Sequence, residues 1–240
     1  MNSAFGIDRC FSFINCQLQA PKSFHVADVL AVKCITVSRQ CGCGAHGFAV
    51  ELGQWLRGHL PPGATPWTIF DRTLVQAVLD DHQLPTRLAE FMPEDRVSQL
   101  DDIIHDLFKL HPPVDTLVRQ TSETILHLAE LGNVIIVGRG ANIITAHSPH
   151  ALHVRLVGSV EQRAAHLQVF DKLSKKEALA RIDQEDGGRR RYLKWHFDKN
   201  IDDPMNYHLV INTDWVTLRQ AAAAVGGLAL NRRGPGSAQG

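Results

Sequence analysis

The chain has no excess of charge of either sign: 25 Lys and Arg balance 25 Asp and Glu over 240 residues. That counts against a general nucleic-acid binder, which needs a basic surplus, but leaves room for a local anion pocket. Long hydrophobic runs are missing too. No stretch of about 18 apolar residues occurs, so no membrane-spanning helix is expected. The most apolar segment, 221–230, is short and contains Gly226 and Gly227. No secretory leader is expected either, because Asp8 and Arg9 interrupt any apolar region near the start and no small-residue cleavage site follows. Cysteine is scarce and odd in number, five in all. In a chain this long that argues against a disulfide scaffold and for a reducing, cytoplasmic setting. Cys34, Cys41 and Cys43 lack the usual Cys-x-x-Cys spacing, so no metal site is expected.

What is present is an ordinary globular composition, 44% apolar and 21% charged. A single domain of this size can bury roughly 70–75% of its unfolded surface without disulfides or metal. The ordered pattern starts near residue 33. Cys34-Ile35-Thr36-Val37 is a β-branched run that enters a Gly-rich turn, which predicts a buried strand followed by a loop. A helix follows to about Arg57 and stops before Pro61-Pro62. Strands are predicted at 67–70, 133–137, 152–157 and 208–212. Between them lie helical patterns, three opened by the pairs Ser159/Gln162, Ser174/Glu177 and Thr217/Gln220, each with the spacing of a capping box. Asp71 is placed to cap a helix after the second strand. Alternating strands and helices predict an α/β fold, one five-stranded parallel sheet with helices on both faces. Ligands of such sheets sit at the carboxyl ends of the strands.

The residues after the strands carry the chemistry. Ser38-Arg39-Gln40-Cys41-Gly42-Cys43-Gly44-Ala45-His46 follows the first strand. Its glycines let backbone N–H groups curl around an anion, and a helix N-terminus comes next. The complete phosphate-loop pattern requires Lys and then Ser or Thr after the last glycine, and here Ala45 and His46 stand there. His46 is the one basic side chain in the loop after Gly42, so as imidazolium it is expected to replace part of the missing charge and strengthen triphosphate binding on acidification. Gly138-Arg139-Gly140 ends the third strand and suits bidentate phosphate binding. Asp186-Gly187-Gly188-Arg189-Arg190-Arg191 lies on a polar helix predicted to run toward Arg191. Neighbours on a helix point about 100° apart, so not all three Arg can face one ligand. Gly187-Gly188 is expected to be a flexible point, as a closing lid would need.

With these residues in place the chain resembles the cytidylate kinase-like family, a branch of the P-loop nucleoside monophosphate kinases, over about residues 35–224. The resemblance rests on Ile35 to Gln40 before the double-Gly loop, 67–71, Val137 to Asn142, His153 to Val157 with Arg163, Asp186 with Arg189 to Tyr192, and Asp203-Pro204 with 207–213. It implies a domain at 33–230, with a helical insertion that binds the nucleoside monophosphate at about 72–132 and a lid at about 172–200. Residues 1–32 would be an extension of poor order and 231–240 a disordered tail. It implies ATP and Mg2+ as cofactors, phosphoryl transfer to a (d)CMP-type pyrimidine monophosphate, and small-molecule nucleotides as partners, with no nucleic acid or membrane. By resemblance, Arg189 and Arg190 would be catalytic. Ser38, Arg39, Gly42, Gly44 and His46 would hold ATP phosphates. Asp71, Gly138 and Arg139 would bind the monophosphate, and Arg181, Asp186 and Arg191 would belong to the lid. The alternative is a catalytically impaired, nucleotide-binding regulatory protein on the same fold, because the loop cation is missing. A metal or redox protein built on Cys34, Cys41 and Cys43 is the third reading.

Overall fold

The computed structural model describes residues 31–61, 64–71, 92, 94–109 and 116–232. The expected extension (apart from 31 and 32), residues 72–91 of the expected insertion and 233–240 of the tail lie outside them, as does any helix capped by Asp71. Five strands form one sheet: β1 (Cys34–Arg39), β2 (Thr68–Phe70), β3 (Val134–Val137), β4 (Ala151–Val157) and β5 (Leu209–Asn212). Their order is β2-β3-β1-β4-β5, and every neighbouring pair is parallel. The order reverses direction at β1, which lies between β3 and β4. The cleft at the carboxyl end of β1 is therefore the switch point where ligands of open α/β sheets bind.

Strand side chains alternate between faces, and each face has its own core. Ile35, Val37, Ile135, Val137, Leu152, Val154 and Leu156 bury against α1 (Ala45–His59) and the C-terminal helix, whose range is Leu218–Asn231. Cys34, Phe70, Val134, Ile136 and Ala151 bury on the other face. They are covered there by α2 (Glu94–Lys109), α3 (Thr116–Leu131), α4 (Ala141–Ile144) and the end of a long helix. That long helix is α6 (Lys175–Phe197), preceded by α5 (Val160–Phe170), and the C-terminal helix is α7. Helices thus cover both faces, as the alternating pattern predicts.

The second face also carries an internal polar seam. Parallel register pairs Thr36 with His153 and Ser38 with Arg155. Thr36 Oγ1 bonds His153 Nδ1 at 2.9 Å, and Arg155 Nη1 donates to Ser38 Oγ at 3.0 Å. The seam leads straight to the strand ends.

The structure departs from the sequence reading in four places. Ser174/Glu177 and Thr217/Gln220 are complete capping boxes, but Ser159 caps α5 with its side chain alone. Its own N–H donates instead to Asp214 Oδ2 at 2.8 Å, so the carboxylate after β5 displaces Gln162 from the second half of the box. Gly187 and Gly188 lie inside an unbroken α6. That helix runs past Arg191 because Leu193 and Phe197 bury in the second core and hold its last turns. Asn231, the first residue of the expected tail, is the last residue of α7, and Arg232 Nη1 donates to the Ala151 carbonyl at 2.6 Å.

Candidate active site

A cavity of about 410 Å³ opens at the carboxyl ends of β1 and β3, beneath α6. That volume suits a small organic ligand. Ser38 and Arg39 reach it from the end of β1, and Gly138, Arg139 and Gly140 from the turn after β3. Asn142 on α4 and Glu185, Arg189 and Tyr192 on α6 complete most of its wall. Among the described residues, three guanidiniums therefore share one small space with a single lining carboxylate, Glu185. Their mutual repulsion is visible in Arg39. Burial first, then the charges of Arg189 and Arg139, lower its pKa to about 10, against the opposing pull of Glu185 and Cys41. At neutral pH the group stays charged. A concave site with crowded cations attracts an anion.

The turn after β3 is built for close approach. Gly138, Arg139 and Gly140 all have positive φ, at 87°, 59° and 71°. A Cβ at Gly138 would overlap Arg39 Nη1, so a side chain there would push the end of the β1 arginine off this turn. Arg139 holds a left-handed backbone that costs an ordinary residue roughly 1–2 kcal/mol. Strain of this kind collects at ligand-binding positions.

The Gly-rich loop connects β1 to α1. Gly42 and Gly44 are left-handed, and Gly44 caps α1 with no side-chain hydrogen bond and no acidic residue in the first turn. Ala45 is buried. The His46 side chain is 71% exposed, and its Nδ1 lies 3.6 Å from Asp71 Oδ2. His46 thus faces the carboxylate at the end of β2 and does not line the three-arginine cavity. The loop is tied to the helices that follow β4. Cys41 N–H donates to Asp186 Oδ1 at 2.7 Å, and Arg163 Nη1 donates to the Cys41 carbonyl at 3.0 Å. Burial and the neighbouring Glu185 raise the Cys41 thiol pKa to about 11, so it is no thiolate at neutral pH. Cys34, Cys41 and Cys43 are all buried, free cysteines.

The α6 residues separate as the helix turn requires. Arg189 lines the cavity and pairs with Glu185 and Asp186. Arg190 points elsewhere, 3.5 Å from Asp202, and Arg191 is exposed. Arg181 bonds Asp171 at 2.7 Å and Glu185 at 2.9 Å, on the outer side of the helix. The structure thus brings Ser38, Arg39, Gly138, Arg139 and Arg189 together and leaves Arg181, Arg190, Arg191 and His46 outside the cavity.

Sequence reasoning missed Glu185, Asn142 and Tyr192 as cavity residues. Glu185 had a signal: it lies four residues after Arg181 and four before Arg189, the spacing of helical ion pairs. Reasoning also missed the support beneath Ser38. Arg155 is buried, its Nη2 donating to Asp202 Oδ1 at 2.6 Å and its Nη1 to Ser38. Tyr207 Oη lies 3.3 Å from Ser38 Oγ and donates to the Ile201 carbonyl at 2.8 Å. A second cavity, about 380 Å³, lies on the other side of the loop. Gly42 and Cys43 border it, Val216 and Leu218 form one wall, and His166 and Phe170 of α5 form the other. Those two rings stack 4.3 Å apart.

Known proteins resemble this chain in sequence and in shape. The sequence profile of the cytidylate kinase-like family matches residues 34–215. A cytidylate kinase of Pyrobaculum islandicum is 29% identical over 119 residues, which cover 49% of this chain and 61% of that protein. The match therefore spans less than two thirds of that relative. A crystal structure of an uncharacterized protein from Eubacterium ventriosum superposes with a TM-score of 0.55 at 18% identity, over 84% of this chain and 99% of that one. At that identity the likeness is one of fold.

Proposed function

The chain belongs to the cytidylate kinase-like family, and on that premise we propose that it transfers the γ-phosphoryl group of ATP–Mg2+ to a pyrimidine nucleoside monophosphate of the (d)CMP type. The observation that carries this reading is the meeting of Arg39, Arg139 and Arg189 in one cavity beside the Gly-rich loop. Phosphoryl transfer demands little covalent chemistry from a protein. It needs two phosphates held in line, cations at the oxygens where charge develops, and exclusion of water. Arg39 and Arg139 would hold the acceptor phosphate, with Ser38 beside them kept in place by Arg155. The acceptor oxygen attacks the γ-phosphorus as the bond to the β–γ bridging oxygen breaks, and ADP leaves. Arg189 would stabilise the charge that passes between them. It sits on α6, the segment proposed as the lid.

The donor would lie across the loop. The second cavity offers its base an apolar slot between Val216 and Leu218 and the His166–Phe170 pair. The amides at the start of α1 face a phosphate chain with the positive end of the helix dipole. Described residues do not form a protein-made Mg2+ site. No Ser or Thr follows Gly44 at positions 45–47, and Ser38 Oγ is taken by Arg155 and Tyr207. No group of three or more His, Cys, Asp or Glu could hold a metal among the described residues. The ion would arrive on the donor's own phosphates, the usual arrangement for Mg2+ at nucleotide sites.

One observation favours a second reading, a nucleotide-binding regulatory protein without catalysis. No Lys follows Gly44, and His46, the nearest cation in sequence, faces Asp71. A coupled assay of ATP against CMP, dCMP, UMP and AMP tests both. Turnover with CMP or dCMP supports the kinase. Nucleotide binding without turnover on any acceptor supports the regulator.

A further inference from the structure

The Gly-rich loop already grips an anion. Asp186 on α6 accepts the Cys41 N–H at Oδ1, 2.7 Å away. The same oxygen accepts from Arg189 Nη1 at 2.9 Å, and Oδ2 accepts from Arg163 Nη1 at 2.6 Å. The carboxylate side chain is 15% exposed and Arg163 is 6% exposed. A loop amide and two guanidiniums are a donor set proteins use for phosphate oxygens. Here all three serve a side chain of the same molecule. Arg163 is held further by its Nε, which donates to the Gly158 carbonyl at 3.0 Å.

We propose that Asp186 is the internal anion of the phosphate loop, a carboxylate that a nucleotide's phosphate displaces from Cys41, Arg163 and Arg189 on binding. The proposal rests on the reading of residues 40–45 as a phosphate loop. Without ligand, the nearly buried Arg163, the partly buried Arg189 and a loop amide need an acceptor, because unpaired buried donors and charges are costly. Asp186 supplies it. A phosphate offers more charge and more oxygens to the same donors. Once it binds, the carboxylate beside it is a repulsive neighbour, so the two anions compete for one place. Competition sets the sign of a substitution. Neutralising a residue that merely supports the site weakens ligand binding, whereas neutralising a competitor strengthens it. Asp183 is the internal control. It sits three residues earlier on α6 and carries the same charge, but it is exposed and lines neither cavity.

The test is calorimetric titration of tripolyphosphate into wild type, Asp186→Asn and Asp183→Asn at fixed pH and ionic strength. The expected result is binding tightened about fivefold or more in Asp186→Asn and less than about twofold in Asp183→Asn. Unchanged or weaker binding by Asp186→Asn overturns the proposal, and so does an equal gain in both variants, which would mean only a general change of field. Should Asp186→Asn fail to fold, wild type labelled with 13C at aspartate carboxyls reads the same exchange, with the Asp186 signal assigned by its loss in Asp186→Glu. That signal should move on saturation with tripolyphosphate, and a fixed signal overturns the proposal. Tripolyphosphate binding by none of the three proteins would overturn the phosphate-loop reading itself, and the Asp186 role with it.

Discussion

Replacing Arg139 separates what it contributes to binding from what it costs in folding. Its guanidinium lines the three-arginine cavity, and its backbone sits at φ 59°. A lost charge-assisted hydrogen bond costs about 1.5–3 kcal/mol, which is roughly 10- to 150-fold in a dissociation constant. Arg139→Ala should weaken CMP binding by that factor. It leaves the backbone strain in place, because Ala at positive φ suffers as Arg does. Arg139→Gly removes the same guanidinium but releases the strain, less the entropy glycine costs the folded chain, a net gain of up to about 1 kcal/mol. The two variants should therefore bind CMP equally poorly, and the Gly variant should be the more stable to urea. Titration calorimetry with CMP and urea unfolding of both proteins measure the two quantities. An unchanged dissociation constant for every nucleotide tested would refute the role of Arg139 in binding. Equal stability of the two variants would refute the strain.

Three further outcomes are expected. Burial, then His208 and Arg232, lower the His153 pKa from 6.5 to about 3. The unfolded chain thus takes up a proton that the folded chain refuses as pH falls through that window, and stability should drop by up to about 1.4 kcal/mol per pH unit below about pH 6.5. His153→Gln should flatten urea-derived stability between pH 6.5 and 5, and a slope equal to wild type would count against this assignment. Gly226→Ala should lower the melting temperature although Ala is the better helix former, because the new Cβ would overlap the Trp55 ring across the α1–α7 contact, an overpacking cost of about 1–3 kcal/mol; a rise in melting temperature would contradict the packing. His46→Gln should leave the pH dependence of ATP–Mg2+ binding between pH 6 and 8 unaltered, since His46 is 71% exposed and faces Asp71; a flattened dependence would restore it as the loop's cation.

Local signals made most of the framework legible. Val134 to Val137 is an unbroken apolar strand whose neighbours bury it on both faces, and Ser174/Glu177 and Thr217/Gln220 start helices wherever the rest of the chain lies. Among the cavity residues, Arg39 and Arg139 were legible from their positions at strand ends, and Arg189 from the Arg run on the long helix. Contacts made across the chain were not. Cys41 meets Asp186 across 145 positions, and Ser38 meets Arg155 across 117; neither spacing leaves a trace in sequence. His46 stood out because it is close to the loop in sequence. A residue in the first turn of a helix points where the helix face points, and that face turns it toward Asp71. Gly187-Gly188 misled for the opposite reason: glycine permits a hinge, but Leu193 and Phe197, packed in the core, hold the helix through it.

On the proposed kinase reading, the charge missing from the loop would be made up by residues at its rim. With no Lys after Gly44, the loop itself offers amides and the positive end of α1, worth about half an elementary charge. The full charges come from the end of β1, the turn after β3 and α6, as Arg39, Arg139 and Arg189. A lysine within a phosphate loop is present however the rest of the molecule moves. A cation on α6 counts only while that helix lies over the strand ends. Burial first and then repulsion lower the pKa of Arg39; an anion in the cavity would relieve the repulsion, most of all when Arg189 is near. If α6 closes as a lid, binding and its position are linked equilibria: each favours the other by the same free energy.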